Sequence, residues 1–516
     1  MSEIRDASFF ILNCNTVNVE GELKSGTPLN AGNIMKLMVD VITPGVYTIM
    51  GRAEPQNGYY FYTSGEFKTT GVFEVVATGA GTPIRPRESP AYETIVVELN
   101  GVKSDDCVKQ VEVKNTVAAP KYSLACQWMK VNGIYKVGKD LDQSNTINVT
   151  INVEEGTQGA PYHIYTNEVG GIKFEGSGVL SGAGTYVVTL SGSGKPDNST
   201  AKTLTVTTNS QSSAVTCQIK VQPVMPQKNI VAIGAIKYGL TSKDDYGCDK
   251  MISDKLNYGT DINSIVKYEG FTNVTVETDI SDDIIGKYTG ENRIDRPYDV
   301  ILITYNLRPK TQNQRQWLTN YVNKGGVLIY LDQGRNSENV EMIASIFGTS
   351  APGYALVGNN CNHVIKLNNV NDEILNGPFG DIRGGQWGED FDNTCGLTNI
   401  PNGAIIYSGA INAYTGQQGG GRAADVKVTM MRHPTKNFFW CGDSGLIHAD
   451  VGSDTKGPFS IGEKIINGIR YPNYPLNKLN YGNGGANMPV CNSTLFANVM
   501  AWALKKTEEN GINKGK

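Results

Sequence analysis

The chain has little of what would tie it to metals, membranes or nucleic acids. Only four of its 516 residues are histidine, and its nine cysteines form no CxxC pair and no Cys/His cluster at zinc spacing, which argues against metal binding through thiolates. No stretch reaches the roughly 18 to 20 apolar residues needed to cross a bilayer, the longest contender being Val300 to Leu307, so no membrane span is expected. There is no Lys/Arg-dense run, and the net charge of −4 argues against a nucleic-acid binder relying on a broad basic surface. The first residues, Met1-Ser-Glu-Ile-Arg-Asp-Ala7, lack a basic segment followed by an apolar run, so the sequence as it stands reads without a signal peptide. Either a leader was trimmed, or the protein reaches its place of work without the general secretion route, as virion and injection-machine components do.

What the chain does have is glycine, 59 residues of it, with 39% hydrophobic and 19% charged residues, a globular and turn-rich composition. Its length suggests about three domains. Two segments begin and end alike. Phe10, Leu12 and Cys14 open the first and Tyr122, Leu124 and Cys126 the second; Cys107, Val111 and Val113 close one, Cys217, Ile219 and Val221 the other. The cysteine separations are 107 − 14 = 93 and 217 − 126 = 91 residues, one domain's worth each. Alternation along an extended strand puts each opening cysteine on the face of two core-forming side chains. Inside the segments, Lys36 to Val41, Gly45 to Gly51, Gly71 to Ala77 and Thr94 to Leu99, then Thr146 to Val153, Tyr162 to Thr166, Gly184 to Leu190 and Thr203 to Thr208, read as short strands between turns. Residues 1–118 and 119–226 are therefore expected to be two immunoglobulin-like β-sandwiches. An opening and a closing strand lie close in such a sandwich, so Cys14 with Cys107 and Cys126 with Cys217 are disulfide candidates, with two buried thiols as the open alternative.

Val224-Met-Pro-Gln-Lys reads as a linker, and beyond it the period changes. Ile230 to Ile236, Val300 to Tyr305 and Val327 to Leu331 are buried-strand candidates. Thr311 to Lys324 carries Trp317, Leu318, Tyr321 and Val322 at helical spacing and is stopped by Gly325-Gly326. Further helices are expected at Ser337 to Phe347 and Thr494 to Lys506, with late strands at Ala404 to Tyr407 and Phe438 to Cys441. Strand, helix, glycine stop and strand make a βαβ unit, so residues 227–516 are expected to form an α/β, flavodoxin-like domain with a mostly parallel sheet.

The run Tyr298 to Tyr305, the helix before Gly325-Gly326 and the strand Val327 to Leu331 resemble the core of class I glutamine amidotransferase-like domains, the trehalose-utilisation-like branch above all. Phe438 to Gly445 and Ser493 to Trp502 are similar to that branch's late strand with a Gly-Asp turn and its final N-x-x-x-W helix. The cysteine-bracketed segments look like the immunoglobulin-like repeats of Bacteroidetes surface proteins. An amidotransferase needs a cysteine at the turn after a core strand, and here Asp332-Gln333-Gly334-Arg335 follows Leu331, so the resemblance implies a domain without its catalytic nucleophile.

No residue is assigned as catalytic on this reading. Asp332, Asp443, Ser444 and His448 are the candidates should the domain be an enzyme, and His448, Asp450 and Asp454 with Asp443 the candidates for a metal, which is not expected. Cys441-Gly-Asp443-Ser444-Gly445 copies the nucleophile stretch of trypsin-like proteases, but His163 and His363 have unrelated neighbours, so the match is a decoy. Gly384 to Asp390 and Gly416 to Gly421 lack phosphate-cradle spacing, and no cofactor is expected. Trp387 with Asp390 and Asp392 is a candidate aromatic and acidic patch for sugar. The expected function is non-enzymatic: a stalk of immunoglobulin-like domains with a degenerate head, in a virion, a contractile machine or on a bacterial surface. The expected partners are other structural proteins or a surface glycan, with a homo-oligomer open and no nucleic acid. The alternative is a hydrolase of carbohydrate or a related small molecule working through the C-terminal domain.

Overall fold

The computed structural model describes residues 7–115, 119–212, 216–234, 238–240, 247–292, 296–305, 307–334, 336–357, 363–390, 394–412, 428–450, 457–482 and 487–514. Asp392, Asp454, Cys361, Arg335 and the run 416–421 lie outside the described residues. The chain forms two compact units, Met1–Pro223 and Val224–Lys516.

In the first unit, the longer strands of repeat one are β1 (Phe9–Glu20), β2 (Ile34–Thr43), β3 (Gly45–Glu54), β4 (Tyr59–Phe67), β5 (Gly71–Gly81), β6 (Glu93–Leu99) and β7 (Val102–Val111). Those of repeat two are β8 (Tyr122–Leu124), β9 (Thr146–Val153), β10 (Pro161–Thr166), β11 (Ile172–Val179), β12 (Gly184–Gly194), β13 (Lys202–Thr208) and β14 (Cys217–Val221). Their hydrogen-bonded orders, β1-β2-β5-β4-β3-β6-β7 and β8-β9-β12-β11-β10-β13-β14, are the same plan twice. Alternation drives each strand's inner face into a core: Met35, Leu37, Val39 and Val41 on β2, and Ile147, Val149, Ile151 and Val153 on β9, are all buried.

The expectation of two facing sheets in each sandwich needs correction. β4 pairs with β3 from Gly45↔Phe67 to Arg52↔Tyr60 and with β5 from Tyr59↔Gly81 to Tyr62↔Thr78, joining both halves into one continuous antiparallel sheet. β11 joins β10 and β12 in the same way. Each repeat is thus a single sheet curled into a near-barrel. The curl brings the first strand to the last: Cys14 on β1 is bonded to Cys107 on β7 with Cα atoms 5.0 Å apart. Cys126, in the turn after β8, is bonded to Cys217 on β14 at 5.4 Å.

The second unit is built on a nine-stranded sheet of β15 (Ile230–Ile233), β16 (Val274–Glu277), β17 (Val300–Ile303), β18 (Val327–Leu331), β19 (Val364–Leu367), β20 (Gln386–Gly388), β21 (Ile405–Asn412), β22 (Met430–Arg432) and β23 (Phe438–Cys441). Its order is β16-β15-β17-β18-β23-β22-β21-β19-β20. The flavodoxin-like, mostly parallel fold class is contradicted here. The four pairings from β16 to β23 are parallel, and the four from β23 to β20 are antiparallel. The sheet is mixed and the chain as a whole mostly β. The reason is local: only residues 433–437 connect β22 to β23, too few for a crossover helix, so the strand must reverse. His433 Nδ1 fixes that reversal by accepting the amides of Thr435 and Lys436 at 3.1 and 2.9 Å.

Among the described residues the helices are α1 (Gly247–Ser253), α2 (Asp282–Thr289), α3 (Gln312–Asn323), α4 (Ser337–Phe347) and α5 (Asn492–Glu509). A capping box starts α3, with the Thr311 hydroxyl accepting Gln314 N–H at 3.1 Å and the Gln314 side chain accepting Thr311 N–H. Gly325, at φ +97°, ends it in a conformation that a Cβ would strain. Helices α2, α3 and α4 cover one face of the parallel strands, and α1 and α5 the other.

Candidate functional site

Ligands of open α/β sheets sit beyond the carboxyl ends of parallel strands. Asp332 follows β18 there, and Asp443 stands two residues past β23; both are buried. The Asp332 backbone N–H donates to Cys441 O at 3.0 Å, and Arg308 Nε lies 3.3 Å from its Oδ1. Burial outweighs that guanidinium and pushes the Asp332 carboxyl up to about 7.

Ser444 is a clasp. Its Oγ donates to Leu331 O at 2.7 Å and accepts from Tyr305 N at 2.8 Å, tying β18 to the segment after β17. Tyr305 is held at φ +27°, an uncommon conformation for a side-chain-bearing residue, with its ring stacked 4.3 Å from that of Tyr238. His448 Nδ1 lies 2.7 Å from Asp390 Oδ2, which also accepts from the Tyr238 hydroxyl at 2.8 Å. Asp390 thus orients the imidazole, but Ser444, four residues before His448, is committed to the backbone, and these three side chains form no Ser-His-Asp relay.

The third group is a shared-proton chain. Thr394 Oγ1 lies 2.5 Å from Asp443 Oδ2 and 3.2 Å from Glu389 Oε2. A hydroxyl has one proton to donate, so the second contact requires a proton on a carboxyl. Burial, reinforced by the negative charge of Asp443 on Glu389 and of Asp390 on Asp443, raises both carboxyls well above their ordinary range, in accord with that count. Glu389 Oε1 accepts from His363 N at 3.0 Å, and Asp443 Oδ1 from Gly445 N at 2.6 Å.

The structure therefore gathers Asp332, Asp443, Ser444 and His448 at one end of the sheet but hydrogen-bonds none of them to another. Asp443 serves Thr394, Ser444 serves the backbone, His448 serves Asp390 and Asp332 faces Arg308. Asp450 is apart, accepting from Gly457 N at 3.0 Å and pairing with Lys478. Trp387 is a core side chain on β20, with its Nε1 donating to Ser408 Oγ at 2.8 Å, and it presents no exposed ring to a sugar. The Cys441 thiol is buried, and burial pushes it well above its ordinary range, which leaves it inert. Sequence reasoning missed Tyr238, Tyr305, Arg308, Glu389 and Thr394. Glu389 stands beside Asp390 in the run already singled out; the others carry no local signal, because loops far apart in sequence deliver them.

No family model matches the chain, and no curated protein matches it. Among solved structures, one similar chain is described as the structure of Yersinia pseudotuberculosis adhesin InvE, at 11% identity and a TM-score of 0.15, over 42% of this chain and 60% of that one. At that score the likeness carries no argument about fold or function.

Proposed function

We propose that the protein is a structural, adhesive one: a stalk of two stapled β-repeats carrying a non-catalytic head that kept motifs of amidotransferase-like domains without their nucleophile. It works outside the reducing cytoplasm, on a bacterial surface or as a component of a virion or contractile machine of a Bacteroidetes system, and its two disulfides support an oxidising setting. One observation carries the reading. In both repeats the disulfide joins the opening segment to the closing strand, so tension entering near Cys14 leaves at Cys107 through a covalent bond, and that entering near Cys126 leaves at Cys217. Most of each barrel lies outside the load path. That is a design for holding rather than turnover.

Single-molecule pulling on the full chain tests it. With the disulfides intact, neither repeat should lengthen by more than its short flanks. After reduction each should release the residues between its cysteines, separated by 93 and 91 positions, a gain of about 300 Å per repeat at 3.3 to 3.6 Å per residue. Full-length extension of the oxidised repeats would sink the load-bearing role. Glycoside or ester hydrolysis that disappears in His448→Ala, with folding intact, would turn the head into an enzyme.

A further inference from the structure

A cleft of about 270 Å³ lies within the first unit where repeat one meets repeat two, lined from one side by Arg85 and Arg87 and from the other by Tyr165, Asn209 and Gln211. The two repeats follow one plan, so the cleft's chemistry can be read by comparing equivalent positions. Gly26 N donates to Pro83 O in repeat one as Gly138 N donates to Pro196 O in repeat two, which makes Pro83 and Pro196 equivalent. Glu93 faces Val111 across the closing pair of strands as Lys202 faces Val221, which makes Glu93 and Lys202 equivalent. These landmarks are 93 − 83 = 10 residues apart in repeat one and 202 − 196 = 6 in repeat two. The longer loop of repeat one contains Arg85-Pro86-Arg87; the shorter one contains Asp197-Asn198-Ser199.

The buried anchors are opposite in sign. Lys202 is satisfied within its own repeat by Asp197 and by Asn198 at 2.9 Å. Glu93 is bonded by the Asn57 amide, while Arg87 Nε stands 3.9 Å from it, beyond hydrogen-bond range. Arg85 turns one terminal nitrogen to the carbonyls of Pro55 and Gln56 and is nearly buried. The Arg87 side chain lines the cleft and keeps 35% of its surface exposed. Glu93, whose own charge is opposed by burial, is thus set against Arg85 and Arg87, while Glu175 of repeat two, 3.8 Å from His163 Nε2, also acts on the buried Arg85. Arg87 is the more exposed of the two guanidinium groups.

We infer that this cleft binds the carboxylate of an acidic sugar, such as a uronic acid residue of a surface glycan, with Arg87 gripping the carboxylate and the Tyr165 ring and the Gln211 amide meeting the sugar ring. The inference rests on the adhesive reading and gives it a ligand class. A guanidinium fork matches a carboxylate in two parallel hydrogen bonds. A volume near the small end of ligand pockets suits one sugar ring. One face of the Tyr165 ring is stacked on His163 at 4.8 Å, and the Asn209 amide is bonded to Tyr122, His163 and Pro161. The rest of the Tyr165 ring and the Gln211 amide are therefore what would meet sugar hydroxyls, which they suit better than an extended acidic peptide.

Titration calorimetry of the full chain with glucuronate, galacturonate, glucose, glucuronamide, acetate and a tri-glutamate peptide tests it. The uronates should bind while glucose and glucuronamide do not, and Arg87→Ala should weaken uronate binding about tenfold or more without lowering the melting temperature. Arg87→Lys should retain part of the affinity, and added salt should weaken binding. Equal binding of glucose and glucuronate, preference for tri-glutamate, uronate binding unaffected by Arg87→Ala, or no uronate binding would each overturn the assignment. In every one of those cases the pulling behaviour of the oxidised repeats would be unchanged, so the cleft can fail while the load-bearing role stands.

Discussion

Asp332 is the residue whose energetics depend most simply on pH. Its carboxyl is pushed up to about 7, from an ordinary 3.8, chiefly by burial. Between those values the folded chain holds a proton that the unfolded chain releases, so raising the pH through this window favours unfolding. The cost is complete above about pH 7 and absent below about pH 4, and its ceiling is roughly 4 kcal/mol at 1.36 kcal/mol per pKa unit. Asp332→Asn removes the titration while keeping the shape. Urea unfolding at pH 4.5 and pH 8 should show the native protein losing stability relative to the variant at the higher pH. Parallel profiles would mean that Arg308, 3.3 Å away, keeps Asp332 ionised throughout. Glu389 and Asp443 are raised in the same direction, so the difference between the two proteins, rather than either profile alone, reports on Asp332. The sequence put Asp332 at the end of a buried strand, and the strand is there. It could not show Arg308 opposite, because that contact depends on how the segment after β17 turns.

At the scale of elements, periodicity located most strands and helices but could not choose their partners. Val327 to Leu331, Ser337 to Phe347 and Phe438 to Cys441 are found where alternation and helical spacing put them. The aromatic run Tyr59 to Tyr62 belongs to β4, whose pairing on both edges makes repeat one a single sheet, and nothing in the run itself shows that double pairing. The antiparallel half of the large sheet was illegible for another reason: β20 and β22 are three residues each, too short for any period to show. The cysteines were informative because bracketing by a β-repeat is a long-range signal. Their bond in repeat one closes a loop with a sequence separation of 93. Removing it through Cys14→Ala with Cys107→Ala should cost repeat one about 2 to 5 kcal/mol and leave repeat two's transition in place. Peptide mapping of the unreduced chain should recover Cys14 with Cys107 and Cys126 with Cys217. A cross-repeat pair would invalidate both the staple and the load path drawn from it.

For the whole molecule, the consequential question is where one cooperative unit ends and the next begins. Composition marks Val224-Met-Pro-Gln-Lys as connecting chain, yet Met225 is docked in the second unit: its backbone donates to Lys267 O at 2.8 Å, accepts from Glu269 N at 2.9 Å, and its side chain is buried in the larger core cluster. The next residues are anchored as well, Lys228 N to the Tyr268 hydroxyl at 3.0 Å and Asn229 N to Asp299 Oδ2 at 2.8 Å, before β15 begins. A fragment of residues 224–516 keeps all of these, whereas one of residues 227–516 loses a buried methionine and two backbone hydrogen bonds. Both should unfold cooperatively, because the sheet with helices on both faces supplies its own core. The shorter should be less stable by about 2 to 5 kcal/mol, the usual cost of deleting one buried methionine side chain. Equal midpoints in urea would show that Met225 is only resting on the surface of that unit. A molten longer fragment would show that the second unit's core is completed by residues before Val224.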